Sequence, residues 1–179
     1  MYLRFLKRGD IKRFYISDNG NVDGVDIEQQ GTQRFVKAAL NSGFDCKVDI
    51  WFRNGVFLIG DDGGPKEEVE FNFIHYPQLW FHCQNIEALY ELLDQDIGLR
   101  AFVHQNRVNL VNKKAKNNDQ CWIWTPFKAR FTDRSIVYLP NEGIEEFKVN
   151  PEFRESLKKV QGICSPNIRL FEGFLEEDK

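Results

Sequence analysis

Residues 13–52 set the order of structure in this chain. They read RFYISDNGNVDGVDIEQQGTQRFVKAALNSGFDCKVDIWF. The apolar run RFYIS breaks into a polar turn that contains glycine, which is typical of a buried strand. Thr32 can cap a helix over TQRFVKAALNSG, in which apolar residues recur at helical spacing and Gly43 supplies the stop. DCKVDIWF is a second apolar strand. The stretch therefore predicts a strand–helix–strand unit.

The remaining chain continues this alternation. The predicted segments are VFLIG after the tight turn Asn54-Gly55, QLWFHC, the helix NIEALYELL capped by Asn85, LRAFVHQ, a very short strand at 109–111, CWIWTPF, SIVYLP, the helix NPEFRESLKKV, and GICSP followed by a tail. Without the hairpin arm VFLIG, eight strands interleaved with helices predict an α/β fold, a compact and irregular (β/α)8 TIM-type barrel with some crossover helices shortened or missing. An open doubly wound sheet is the alternative, although no G-x-G-x-x-G or P-loop follows any strand.

Length and composition restrict the classes of protein. A chain of 179 residues fits a single domain over 1–179, with an acidic tail at 172–179. Twenty-four basic and 27 acidic residues give a formal charge of −3 without a basic cluster, so no nucleic-acid partner is expected. No apolar run approaches the roughly 20 residues of a membrane span. The early charges of MYLRFLKRGD argue against a secretory signal, and a cytoplasmic location is expected.

The four cysteines are far apart and form no C-x-x-C pair. Cys46, Cys83, Cys121 and Cys164 are therefore expected to be buried, reduced thiols rather than zinc ligands or disulfides.

Polar side chains gather where the predicted strands end. In a parallel barrel these ends form the catalytic face. The polar residues expected there include Ser17, Asp18, Lys47, Asp49, His82 and His104, with Asp61 and Asp62 from the hairpin arm after the second strand.

Several segments together resemble a known family. YISDNGNVDG, FDCKVDIWFRNGVFLIGDD, LWFHCQNIEALYELL, FVHQN, WIWT, SIVYLP and GICS resemble, in order, the small bacterial branch of the glycerophosphodiester phosphodiesterase (PI-PLC-like) superfamily. The resemblance covers most of residues 13–168. It implies a barrel, and a site in which a divalent cation, an arginine and two histidines act on a phosphodiester.

The residues that would carry this chemistry are replaced. Asp18-Asn19-Gly20 stands where the family has His-Arg-Gly, which removes an imidazole and a guanidinium. The first metal-binding glutamate falls on Gln30. The Glu-x-Asp pattern of the second strand reads Lys47-Val48-Asp49, so only Asp49 remains as a ligand.

The later family positions are changed as well. The Gly-His-Asp turn reads Gly60-Asp61-Asp62, and Gln84 replaces a lysine that would face the phosphate. The vestigial catalytic positions are therefore Asp18, Asn19 and Asp61.

These replacements predict an inactive phosphodiesterase-like protein, a pseudoenzyme with a binding, scaffold or structural role and no metal or other cofactor. Lys47 is expected to form a salt bridge with Asp49, Asp18 or Asp61. One alternative is an active hydrolase that holds Mg²⁺ or Ca²⁺ on a shifted carboxylate set of Asp18, Asp49, Asp61 and Asp62. A second alternative is a sensor that binds a phosphorylated small molecule without turnover, with Lys47, His82, Gln84 and His104 as candidate contacts. If the chain is not such a sensor, its expected partner is a protein that the sequence does not identify.

Overall fold

The structure is a computed structural model that describes residues 13–70, 72–95, 99–105, 108–109 and 122–176. The fold is α/β. Its strands are β1 (Phe14–Asp18), β2 (Asp45–Arg53), β3 (Val56–Asp61), β4 (Gly64–Glu68), β5 (Leu79–Cys83), β6 (Arg100–Gln105), β7 (Val108–Asn109), β8 (Ile123–Pro126), β9 (Ser135–Tyr138) and β10 (Gly162–Ser165). Its α-helices are α1 (Gln33–Asn41), α2 (Ile86–Asp94), α3 (Asn141–Val149), α4 (Pro151–Leu157) and α5 (Ile168–Glu176), and Phe73–His75 form a 3-10 turn.

Seven strands pair in parallel in the order β6-β5-β2-β1-β10-β9-β8. β7 pairs antiparallel with β6, and β3 and β4 form an antiparallel arm on β2. Across the described residues no strand pairing joins β6 or β7 to β8, so this sheet is not closed. The same residues hold five α-helices, too few for a regular (β/α)8 barrel. The prediction of an α/β fold is confirmed, and the closed barrel is not.

The strand–helix–strand unit of residues 13–52 forms as predicted. The Thr32 side chain accepts a hydrogen bond from the Phe35 amide at 3.3 Å, which caps α1. Gly43 follows the helix with a φ of 92°, a conformation that favours glycine. Val36 and Ala39 are buried, and α1 packs against β2.

Four features differ from the sequence prediction. Asn85 does not cap α2 through its side chain, which instead bonds the backbone of Phe52 in β2. β4 and α3 were not predicted. The predicted acidic tail is wrong over residues 172–176, because they belong to α5, whose Phe171 and Leu175 are buried.

The buried residues divide between the two faces of the sheet. On one face, strand side chains pack against helices α1, α2, α3 and α5. On the other face the strands pack against one another through Ile16, Trp80, Phe102, Trp124, Ile136 and Cys164. Phe102 of β6 and Trp124 of β8 stack with ring centroids 4.4 Å apart. The sheet is therefore curved enough for its two ends to meet through side chains.

The described cysteines fit the prediction of reduced thiols. Cys46, Cys83 and Cys164 are free and buried, and burial raises the pKa of Cys46 and of Cys83 to about 12. Cys121 lies outside the described residues. Within the described ranges, no helix combines the length and the apolar character that crossing a membrane requires.

Candidate functional site

The candidate site continues the inner aromatic face of the sheet toward the carboxyl ends of the strands. Side chains two residues apart on a strand share a face. Asp18 therefore follows Ile16, His82 follows Trp80, and Tyr138 follows Ile136 on that face. Parallel register places Asp18 opposite Lys47 and Asp49 opposite His82. The fold thus brings together Asp18, Lys47, Asp49 and His82 of the predicted strand-end residues.

Lys47 bridges two carboxylates. Its Nζ lies 2.7 Å from Asp18 Oδ1 and 2.9 Å from Asp49 Oδ2. The contact with Asp18 is an ion pair without hydrogen-bond geometry, and the two charges attract each other at this short distance. The Lys47 side chain is only 8% exposed and that of Asp49 is 1% exposed. The predicted salt bridge of Lys47 with one of three acids is therefore confirmed, with Asp18 and Asp49 as its partners, and Asp61 pairs with Lys66 instead.

Asp49 is fully engaged by its neighbours. Asn19 Nδ2 donates to Asp49 Oδ2 at 2.6 Å, and Asn19 Oδ1 accepts from the Asp49 amide at 3.1 Å. Asp49 Oδ1 lies 2.6 Å from His82 Nδ1 and accepts from Gln84 Nε2 at 2.7 Å. Each carboxylate oxygen thus has two polar partners, Lys47 being the second one on Oδ2.

The pKa values of this pair follow from burial and charge. Burial by itself would lower the pKa of Lys47, but Asp18 and Asp49 outweigh it and hold that pKa well above its usual value. Burial would raise the pKa of Asp49, but Lys47 and the hydrogen bond with His82 hold it well below its usual range. The raised pKa of Lys47 and the lowered pKa of Asp49 both keep these two side chains charged at neutral pH.

Tyr138 completes the site from β9. Its hydroxyl donates to Asp18 Oδ2 at 3.0 Å, and burial together with the Asp18 charge raises the pKa of this phenol. Tyr138 was not among the predicted site residues, although its spacing of two from the apolar Ile136 in SIVYLP indicates that both share one face of a strand.

A ladder of rings connects Tyr138 with His82 across the open side of the sheet. His82 stacks on Phe102 at 5.1 Å, Phe102 stacks on Trp124, and Trp124 lies 6.4 Å from Tyr138. The side chain of His82 is 18% exposed, so the imidazole stands at the rim of the site.

Asp61 forms a second, separate cluster on the β3–β4 arm. Its Oδ2 lies 2.7 Å from Lys66 Nζ and accepts from Gln30 Nε2 at 3.0 Å, while its Oδ1 accepts from the Gly63 amide at 2.9 Å. Burial would raise the pKa of Asp61, but the bond from Lys66 and the Gly63 amide lower it. Lys66 was missed by sequence analysis because β4 was not predicted.

Asn21 joins the two clusters. Its Nδ2 donates to the Asp18 carbonyl at 2.9 Å and to Gln30 Oε1 at 3.0 Å. Gly31 lies between them with a φ of 72°, and a Cβ added there would stand 2.0 Å from the Gly60 carbonyl oxygen. Only glycine allows this approach of the loop to the β3–β4 arm.

Two further predicted residues are Asp62 and His104. Asp62 is exposed and makes no hydrogen bond or ion pair with the described residues. His104 belongs to β6, and its side chain lies outside the described part of the structure.

The arrangement of carboxylates does not form a recognisable cation site. Within the described ranges no group of three or more His, Cys, Asp and Glu side chains is placed to hold a metal ion. Asp18 and Asp49 instead face the ammonium of Lys47. A divalent cation bound beside these carboxylates would be repelled by that positive charge.

Comparison of the chain with protein-family models, with curated proteins and with solved structures gives no match. The resemblance to glycerophosphodiester phosphodiesterases therefore stays a prediction.

Proposed function

We propose that this chain is a catalytically inactive relative of the glycerophosphodiester phosphodiesterases, with a binding or scaffold role in the cytoplasm. The observation that carries the proposal is the position of Lys47. The resemblance implies a divalent cation beside Asp49, and in the structure Lys47 forms direct ion pairs with Asp49 and Asp18. In this proposal an internal ammonium, and not a metal, offsets part of the negative charge of these two carboxylates.

We also propose that the sheet is the wall of an irregular (β/α)8-type barrel. The strand order supports it, because each parallel strand pairs with its neighbour in the chain and β1 pairs with β10, leaving a single unpaired side in the described residues. The ring stack of Phe102 on Trp124 spans that side. The polar site then lies at the carboxyl face, where barrel enzymes hold their substrates.

The surroundings of Asp49 support loss of catalysis. A carboxylate that ligates a cation needs at least one oxygen directed at the ion. Asp49 Oδ2 is hydrogen-bonded by Asn19 and Lys47, and Asp49 Oδ1 is contacted by His82 and Gln84. Binding a cation here would require these bonds to break.

One observation favours a second candidate, an active hydrolase. His82 Nδ1 lies 2.6 Å from Asp49, and a buried carboxylate that orients an imidazole is a common acid–base arrangement. In this candidate Mg²⁺ or Ca²⁺ would be held by rearranged carboxylates. The sensor hypothesis has less support, because Lys47, its proposed anion contact, is buried between two acids.

A hydrolysis assay tests the proposal. The purified chain is incubated with glycerophosphocholine and with bis(p-nitrophenyl) phosphate, in Mg²⁺, Ca²⁺ and Mn²⁺, beside Asp49→Asn, His82→Gln and the exposed control Asp94→Asn. The expected result is no metal-dependent turnover above the level shared by all four proteins. Turnover that Asp94→Asn retains and that Asp49→Asn and His82→Gln both lose would establish the hydrolase instead.

A further inference from the structure

A large cavity opens at the end of the sheet opposite the candidate site. Its volume is about 960 Å³. Arg13, Arg134 and Gln161 line it, and these residues immediately precede β1, β9 and β10. Because the three strands are parallel, the cavity lies at their amino ends, whereas Asp18 and Tyr138 lie at their carboxyl ends. The two places are therefore separate.

The wall of the cavity is aromatic. Phe127, Phe131 and Phe153 line it, and the rings of Phe131 and Phe153 lie 5.9 Å apart at 56°. All three are half-buried, so part of each ring is open to the cavity. Such side chains bind the flat face of a ligand.

The lining of the cavity is also rich in basic side chains. Arg13, Arg134, Lys158 and Lys159 line it against one carboxylate, Asp133. This local excess of positive charge contrasts with the formal charge of −3 of the whole chain. A concave surface lined by one sign of charge attracts ligands of the opposite sign.

The basic side chains differ in what already engages them. Arg13 Nη2 donates to the Lys158 carbonyl at 2.7 Å, which orients its guanidinium, and Lys158 Nζ pairs with Glu155 at 2.9 Å. The side chains of Arg134 and Lys159 form no ion pair or hydrogen bond with the described residues. Two cations beside an aromatic wall are thus available to an anion.

We propose that this cavity binds a small anionic ligand with an aromatic body. The rings of Phe131 and Phe153 contact the aromatic part, and Arg134 and Lys159 bind the anionic group, which is a phosphate or a carboxylate. The volume lies within the range of small-molecule sites. The site is independent of the activity considered for the opposite face.

Calorimetric titration with phenyl phosphate tests this site on the full chain, with phenol and inorganic phosphate as probes of the two separate parts. Phenyl phosphate is expected to bind with a dissociation constant on the order of 1 mM, and each part at least about tenfold more weakly. Benzoate in a parallel titration identifies which anionic group is preferred.

Variants locate the site. The double variant Arg134→Gln/Lys159→Gln should weaken phenyl phosphate binding at least about tenfold, since it removes two charged hydrogen-bond donors. The matched control Arg34→Gln/Arg53→Gln removes two exposed cations elsewhere that form no ion pair with the described residues, and it should leave binding unchanged. All four side chains are exposed, so neither variant is expected to unfold the chain.

Four outcomes would overturn the proposal, three of them in the titrations above. They are no binding of phenyl phosphate at 10 mM, equal binding of inorganic phosphate and phenyl phosphate, and equal weakening by the two double variants. Binding that appears only after deletion of residues 1–12 would also overturn it, since the full chain would then not offer the site.

Discussion

Replacing Lys47 by methionine keeps most of the side-chain volume and removes the charge. Asp18 and Asp49 would then remain as neighbouring buried carboxylates without their shared cation. Removing one partner of a buried ion pair is strongly destabilising, because the other charge is left unpaired in a poorly solvated place.

The distances give the size of the effect. At 2.7 Å and 2.9 Å, each pair of unit charges attracts by about 6 kcal/mol at an effective dielectric constant of about 20. Burying the charged Lys47 costs desolvation free energy, and the methionine variant does not carry this cost. The net loss is therefore much smaller than the attraction alone. A loss of about 3–5 kcal/mol in the free energy of unfolding is therefore expected. The total free energy of unfolding of a typical domain is only about 5–15 kcal/mol.

Urea unfolding at pH 7 measures this loss, and Lys37→Met is the matched control. Lys37 Nζ lies 2.9 Å from Glu70, the same distance as in the buried pair with Asp49, but its side chain is 36% exposed. An exposed pair contributes only about 0–1 kcal/mol. Adding Asp49→Asn to the Lys47 variant should restore part of the stability. Equal losses in Lys47→Met and Lys37→Met would refute the reasoning.

Three further predictions concern single residues. Tyr138→Phe removes the hydrogen bond to Asp18 and should lower the melting temperature by about 3–6 °C in calorimetry, and an unchanged value would contradict this bond. Gly31→Ala should lower the free energy of unfolding in urea by more than about 3 kcal/mol, because its Cβ would meet a backbone carbonyl of β3. Gly43 also has a positive φ, but a Cβ there would meet open space, so Gly43→Ala should cost only about 1–2 kcal/mol. The Asp49 carboxyl has a lower pKa in the folded chain than in the unfolded one. Its contribution to stability is therefore present above about pH 4 and is lost as the pH falls further. The urea midpoint should fall between pH 5 and pH 3, and an unchanged midpoint would contradict this direction.

The parts of the fold that could be predicted are those with local signals. α1 was found because Thr32 and Gly43 mark its two ends. α5 was missed because its acidic end suggested a solvated tail, although Phe171 and Leu175 are spaced by one helical turn. Sheet closure could not be predicted, since it depends on curvature and stagger between strands and not on the pattern within one strand.

Part of the membership of the candidate site was predictable, but its contacts were not, and Tyr138 was missed. The strand-end rule correctly grouped Asp18, Lys47, Asp49 and His82. Their pairing depends on strand register, which places Asp49 beside His82 and Asp18 beside Lys47. The partner of Asp61 is set by β4, which carries Lys66 on a strand too polar to be recognised from its sequence.

The bridge formed by Lys47 also restricts the order in which substitutions can accumulate during evolution. Loss of the lysine first leaves two buried acids, whereas loss of Asp49 first leaves one balanced pair of Lys47 with Asp18. The first step of the second route leaves no unpaired buried charge at this site, whereas the first step of the other route leaves two. Descendants of this chain should therefore lose an acid before the lysine, and sequences with both acids and no lysine should be rare.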